Sequence, residues 1–184
     1  IGAAIVATLA DHRYDVTFTY RASAEEADGL ARRLRAAHPG AAIEAKPLDL
    51  ADKGAVAAFC ETLAADDEWR GFVHNAGQSY DALAAVMAQD RAEAAMQVNF
   101  WSMQRLTKAL LRPMTHARAG RIVAIGSVTA ERASRGNSIY AASKAALENL
   151  TLTYAAEVAM TTVRANIIGP GATATAMRAK AFPG

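Results

Sequence analysis

Tyr140 and Lys144, in the run Ser138-Ile139-Tyr140-Ala141-Ala142-Ser143-Lys144, stand four residues apart in a helical pattern. Ser127 lies thirteen residues upstream of Tyr140, at the end of an apolar run. Residues i and i+4 of a helix share a face at about 5–6 Å, so the ammonium of Lys144 is expected beside the phenol of Tyr140. Hydride addition to a carbonyl leaves an alkoxide that must be protonated, and a phenol donates more readily when a cation favours the phenolate left behind. Ser127 offers a hydroxyl to hold the carbonyl oxygen. These are the parts needed to reduce a ketone. Tyr-x-x-x-Lys also occurs on ordinary amphipathic helices, where tyrosine edges the core and lysine snorkels into water. The surrounding elements therefore decide.

Short apolar runs rich in β-branched residues alternate with longer helical patterns, the signature of a parallel sheet covered by helices on both faces. Helices are expected at 2–12, 24–37, 52–66, 90–116 and 138–159, and strands at 15–20, 42–48, 71–74, 120–126 and 162–168. His38-Pro39-Gly40 breaks the second helix from the second strand, and Gly169-Pro170-Gly171 ends the last one. The fold class is α/β in three layers. Such sheets normally open with a strand and a Gly-rich turn, whereas this chain begins inside a helix. The first strand and a closing strand after residue 171 are thus expected to lie outside it, with residues 1–184 forming a single, incomplete domain.

Further motifs keep order with the trio. Gly2 opens the first helix, Asp49 and Leu50 follow the second strand, and Asn75-Ala76-Gly77 follows the third. Asn99 stands in Gln97-Val98-Asn99-Phe100, and Pro170-Gly171 precedes Thr173 and Thr175. Together these residues resemble the classical short-chain dehydrogenases/reductases over essentially the whole chain. The resemblance implies a Rossmann-type doubly wound sheet that binds a dinucleotide. It makes Gly2 the last glycine of a Thr-Gly-x-x-x-Gly-x-Gly turn, and places Asp49 and Leu50 at the adenine ring. Asn75, Ala76 and Gly77 would line the cofactor, while Pro170, Gly171, Thr173 and Thr175 would meet the nicotinamide carboxamide. Asn99, Ser127, Tyr140 and Lys144 become a catalytic tetrad. In it Tyr140 is the general acid of reduction, Ser127 orients the substrate oxygen, Lys144 assists Tyr140 and holds the nicotinamide ribose, and Asn99 supports a proton relay through water. The cofactor supplies the hydride.

A dinucleotide fold reads the adenosine ribose about 20 residues past its Gly-rich turn, with an acid for a free 2′-hydroxyl or an arginine for a 2′-phosphate. That place holds Arg21, followed by Ser23, with no carboxylate before Glu25. NADPH is the expected cofactor and NADH the alternative. Gly126-Ser127-Val128 and the run Tyr140–Leu147 look most like the 3-oxoacyl-[acyl-carrier-protein] reductases, implying a 3-oxoacyl thioester substrate in fatty acid or related biosynthesis. An acyl carrier protein is then a candidate partner, with Arg118 expected beside the active-site mouth and Thr161 where a second basic residue is usual. Asn137 and Gln78-Ser79-Tyr80 depart from that subgroup, which keeps a small or specialised ketone as the alternative substrate. A non-catalytic cofactor-binding relative is the third reading.

Hydrophobic residues make up 52% of the 184 and charged ones 21%, as in a folded domain rather than a disordered segment. The net charge of +2 is spread among acids, which gives no footprint for nucleic acid. No apolar run approaches the roughly 18 residues of a membrane span, and the N-terminus lacks the basic region of a signal peptide. A single cysteine, Cys60, fits a reducing, cytoplasmic setting. His12, His38, His74 and His116 show no metal-ligand spacing, so no metal is expected. Apolar residues on more than one face of helices 90–116 and 138–159 point to a homodimer or homotetramer formed through them.

Overall fold

The computed structural model describes residues 1–132, 134–171 and 173–174. The chain divides into two compact units, Ile1–Ala55 and Val56–Gly184. The first contains helix α1 (Gly2–Asp11), strand β1 (Val16–Tyr20), helix α2 (Ala24–Ala37) and strand β2 (Ile43–Pro47). β1 and β2 pair in parallel from Val16 opposite Ile43 to Tyr20 opposite Pro47. Parallel strands need a covering crossover, and α2 provides it by setting Ala31 and Leu34 on Val16 and Ile43, with Val6 and Ala10 of α1 completing the cluster. Polar ties fix the register. Asp15 Oδ1 accepts from the Ala42 amide at 2.6 Å, and Arg35 Nε donates to the Ile43 carbonyl at 2.7 Å.

Helix α3 spans Lys53–Ala64, shorter at both ends than the periodicity indicates. Asp52 lies before it as a cap, Oδ1 accepting from the amides of Gly54 at 2.8 Å and Ala55 at 3.0 Å. The second unit then builds a three-stranded parallel sheet, β3 (Gly71–His74), β4 (Gly120–Ile125) and β5 (Val163–Ile168), in that order. Ile122, Ala124 and Val163 are fully or nearly fully buried, as are Met103, Leu110 and Met114 of one crossover helix and Leu147 of the next. Gly120 has a steric reason. A Cβ there would lie 2.8 Å from Met114 Cβ, so only glycine lets β4 start this close to the preceding helix.

The helix expected at 90–116 is three segments: α4 (Gln89–Met96), a π-helical turn (Gln97–Trp101) and α5 (Ser102–His116). Within the turn the Ser102 amide reaches back five residues to the Gln97 carbonyl. Such single π turns insert one residue into a helix and commonly sit at functional sites. Helix α6 (Ser138–Glu157) follows a short 3₁₀ turn at Val128–Ala130. The strands thus form two parallel sheets, and no strand among the described residues joins β1 to β3. No helix among those residues is long and apolar enough to cross a membrane.

Candidate active site

In doubly wound folds ligands bind outside the carboxyl ends of the strands, and the expected site residues fall there strand by strand. In the first unit Arg21 follows β1 and Asp49 follows β2, with the Leu48 amide bonded to the Tyr20 carbonyl at 2.8 Å. Arg21, Ser23 and Asp49 are exposed, whereas Leu50 is buried. Asp49 Oδ1 accepts from the Ala51 amide at 2.9 Å, which shapes the turn. Ser23 precedes α2 without capping it, and Glu25 and Glu26 occupy that helix's first turn. Gly2 is the first residue of α1, an N-terminus without a side-chain cap whose open amides suit a phosphate.

In the second unit, Asn75-Ala76-Gly77 leaves β3, Ser127 follows β4, and Pro170-Gly171 follows β5. Asn99 is fully buried in the π turn, and its carboxamide joins three segments. Oδ1 accepts from the Gln78 amide at 2.7 Å, while Nδ2 donates to the Gln78 carbonyl at 3.0 Å and to Ser143 Oγ at 2.8 Å. Ser143 Oγ in turn donates to the Tyr140 carbonyl at 2.7 Å. The loop after β3 and the first turns of α6 are therefore held by one side chain.

Lys144 is only 3% exposed, with its Nζ donating to the Ile125 carbonyl at 2.8 Å and lying 5.8 Å from the centre of the Tyr140 ring. Burial lowers its pKa from 10.5 to about 8. Gly77 passes directly over it. A Cβ there would lie 3.5 Å from Nζ and 3.8 Å from Asn99 Oδ1, so the chain at Gly77 runs close against the ammonium. Ser127 Oγ accepts from the Thr129 amide at 3.2 Å and from Thr129 Oγ1 at 2.8 Å, and the turn it caps packs on α6. Tyr140 is partly buried. Thr173 Oγ1 donates to the Gly171 carbonyl at 3.1 Å. Thr175 lies outside the described residues.

Arg118 differs from expectation. It is exposed in the turn from α5 into β4, with φ of 51°. That turn is at the amino end of the sheet, and Thr161 precedes the neighbouring β5 at the same end. Because β3, β4 and β5 run parallel, residues before a strand and residues after it lie at opposite edges. Arg118 and Thr161 thus stand across the sheet from Asn75, Ser127 and Lys144. Nor does the groove of about 790 Å³ between α3 and α5 involve the site: Cys60, Glu61, Arg105 and Arg112 line it, and none of the expected site residues does.

Two residues at the site were not singled out by the spacing of motifs. Ser143 adjoins Lys144, and its signal was position alone. His74 ends β3 directly before Asn75 and is 2% exposed, its Nε2 buried without a hydrogen-bond partner. Its pKa is lowered to about 4 by burial first and by the Lys144 charge second, with the Asn99 main chain opposing them. An unfolded histidine protonates near 6.5, so between there and about pH 4 the unfolded chain takes up a proton that the folded one refuses. Stability should fall by roughly 3 kcal/mol as pH drops through that window. Urea unfolding at stepped pH should show this slope in the complete protein and lose it in His74→Asn; an unchanged slope would refute it.

The short chain dehydrogenase family model matches residues 1–184. The chain belongs to the short-chain dehydrogenases. It is 42% identical over 99 residues to the 3-oxoacyl-[acyl-carrier-protein] reductase of Pseudomonas aeruginosa, a stretch covering 54% of this chain and 40% of that protein. It is 34% identical over 131 residues to the same-named reductase of Haemophilus influenzae, covering 71% and 54%. The chain thus spans about half the length of the curated relatives it matches. Among solved structures it is similar to a short-chain dehydrogenase from Sphingobium yanoikuyae in complex with NADPH, with a TM-score of 0.92 at 28% identity, over 98% of this chain and 70% of that one.

Proposed function

We propose that the complete protein reduces a ketone to a secondary alcohol with NADPH, and that its substrate is a 3-oxoacyl thioester. The observation that carries this reading is the buried ammonium of Lys144 beside the Tyr140 ring. A lone buried cation costs stability, and such a cost is retained where the charge performs a task. When bound, the reduced nicotinamide supplies the hydride. Ser127 holds the carbonyl oxygen, and the Tyr140 hydroxyl gives it a proton as the alcohol forms. Lys144 has three N–H donors, of which Ile125 takes one; its charge stabilises the tyrosinate that remains. Asn99 supports the relay that returns the proton. Arg21 and Ser23 would hold the 2′-phosphate, Gly2 the pyrophosphate, Asp49 and Leu50 the adenine end, and Asn75, Ala76 and Gly77 the approach to the ribose. Pro170, Gly171, Thr173 and Thr175 would meet the carboxamide. Residues 1–184 belong, in this reading, to one dinucleotide-binding domain of a cytoplasmic enzyme. Half-exposed Trp101, in the π turn, and Leu152 on α6 support pairing of those helices with a second copy.

The amino-end position of Arg118 and Thr161 favours a second reading, in which the ketone is a small or specialised metabolite and no carrier protein docks. NADPH oxidation by the complete protein on carrier-bound 3-oxoacyl groups, acetoacetyl-CoA and simple ketones separates the two. Turnover should fall by about 10²–10⁴-fold in Tyr140→Phe. Undiminished turnover in that variant would remove the mechanism, and faster turnover with NADH than with NADPH at equal low concentration would remove the cofactor assignment.

A further inference from the structure

We propose that Tyr80 is a positioning residue of this site: it anchors the loop after β3 to both α4 and the first turn of α6, and so fixes Tyr140 relative to the loop that carries Gly77. The effect on turnover rests on the reductase reading above; the anchoring contacts do not. Three observations carry it. First, among the described residues Tyr80 is the only buried one from Asn75 to Arg91, at 5% exposed, whereas Leu83 and Val86 further along face solvent. A loop with few buried apolar contacts opens easily, so its place depends on the one it has. Second, both ends of the phenol are held. Its hydroxyl accepts at 2.8 Å from the amide of Ala88, the residue before α4. The Arg91 guanidinium, in the first turn of that helix, lies 4.3 Å from the centre of the ring, a cation–π contact.

Third, the ring's surroundings join separate segments. Tyr80 clusters with Ala92 and Ala95 of α4, and Ile139 of α6 packs against that cluster. Ile139 directly precedes Tyr140. Two residues beyond Tyr80, the Ala82 amide donates to the Gly136 carbonyl at 2.8 Å. Gly136 has a φ of 80°, a left-handed value that favours glycine, and a Cβ there would meet open space, so backbone conformation rather than room is its reason. Asn137 follows it and leads into α6. Upstream of Tyr80, Asn99 holds the amide and the carbonyl of Gln78. The loop is thus fastened to the π turn before Tyr80 and to the entry of α6 after it, with the phenol as the buried pin between. Tyr140 and Lys144 ride on α6, Gly77 on the loop, and Tyr80 sets one against the other.

The test uses the complete protein and two independent readouts. Amide hydrogen exchange followed by NMR should find Ala82 and Ala88 protected in the wild type. Tyr80→Phe keeps the ring and removes the acceptor, so protection should fall by about tenfold or more at Ala88 and persist at Ala82. Tyr80→Leu should lose both, while the Gln78 amide, held by Asn99, keeps its own. In kinetics, Tyr80→Leu should lower kcat by about 10–10²-fold while KM for NADPH stays within roughly twofold, because Tyr140 is misplaced and the cofactor is not. Tyr80→Phe should keep kcat within about threefold of the wild type. An Ala82 amide that exchanges freely in the wild type, or that stays protected in Tyr80→Leu, would overturn the proposal. So would a Leu variant with unchanged kcat, or equal impairment of the two variants. If the wild type reduces no ketone, the reductase reading fails and exchange at Ala82 still decides for or against Tyr80. If the Leu variant does not fold, the Phe variant decides, unchanged protection at Ala88 or a kcat reduced beyond threefold counting against the anchor.

Discussion

Lys144→Met should give a protein that is more stable at neutral pH and nearly inactive. Lys144 is almost completely buried, and its pKa falls from 10.5 to about 8. Each pKa unit is worth about 1.4 kcal/mol, so the buried ammonium costs roughly 3 kcal/mol wherever both folded and unfolded chains hold the proton. The sign follows from the direction. Below about pH 8 the cost is fully present; as pH rises from about 8 towards 10.5, the folded chain gives up its proton first and the cost disappears. Methionine fills a similar volume without charge but leaves the Ile125 carbonyl without its 2.8 Å donor, which returns about 1–2 kcal/mol. The net gain at pH 7 should be roughly 1–2 kcal/mol by urea unfolding, shrinking towards pH 10. Ketone-dependent NADPH oxidation should fall by about 10²–10⁴-fold. A Met variant less stable than wild type at pH 7, or one that keeps its turnover, would show that Lys144 is an ordinary structural lysine. The combination of gain and loss is the signature of a site that holds a charge against the preference of its surroundings.

Much of this arrangement is legible in the amino-acid pattern because the physics involved is local. Strand β3 and helix α2 fall where alternation and periodicity place them, and the four-residue interval between Tyr140 and Lys144 becomes a shared helix face. The residues proposed for the cofactor follow from parallel strands whose carboxyl ends carry turns. The π turn is different. It carries Asn99, which bonds Gln78, twenty-one residues away, and Ser143, forty-four away. A hydrophobic period cannot report a hydrogen bond between distant segments, so 90–116 reads as one helix. His74 was set aside on metal-ligand spacing, a criterion blind to a histidine buried beside the site for another reason. Arg118 illustrates the reverse error. Likeness to the carrier-protein reductases put it at the mouth, whereas strand direction alone places a residue before β4 at the edge opposite Ser127.

The carboxamide of Asn99 is where these local and distant terms meet, and Asn99→Leu should be the most destabilising single change at the site. Leucine keeps the branched outline and is the larger residue, so the change opens no cavity. It removes three hydrogen bonds at once. The Gln78 amide and carbonyl lose their partner together, and each unpaired buried group costs about 1–3 kcal/mol. Gln78 is partly exposed, so water recovers a share, and the expected loss is roughly 2–4 kcal/mol. Ser143→Ala gives the contrast. It removes one bond to Asn99 and one to the Tyr140 carbonyl, both ends keeping other contacts, and should cost about 1 kcal/mol. Urea midpoints of the two variants in the complete protein should therefore differ severalfold in displacement at a common slope. If Asn99→Leu unfolds at the wild-type midpoint, the carboxamide holds nothing. If the two variants lose equal stability, the bond to Ser143 rather than the grip on Gln78 is what joins the loop after β3 to helix α6. The larger loss expected for Asn99→Leu follows from geometry: one planar group satisfies both the donor and the acceptor of a single peptide unit, and no aliphatic side chain can replace either.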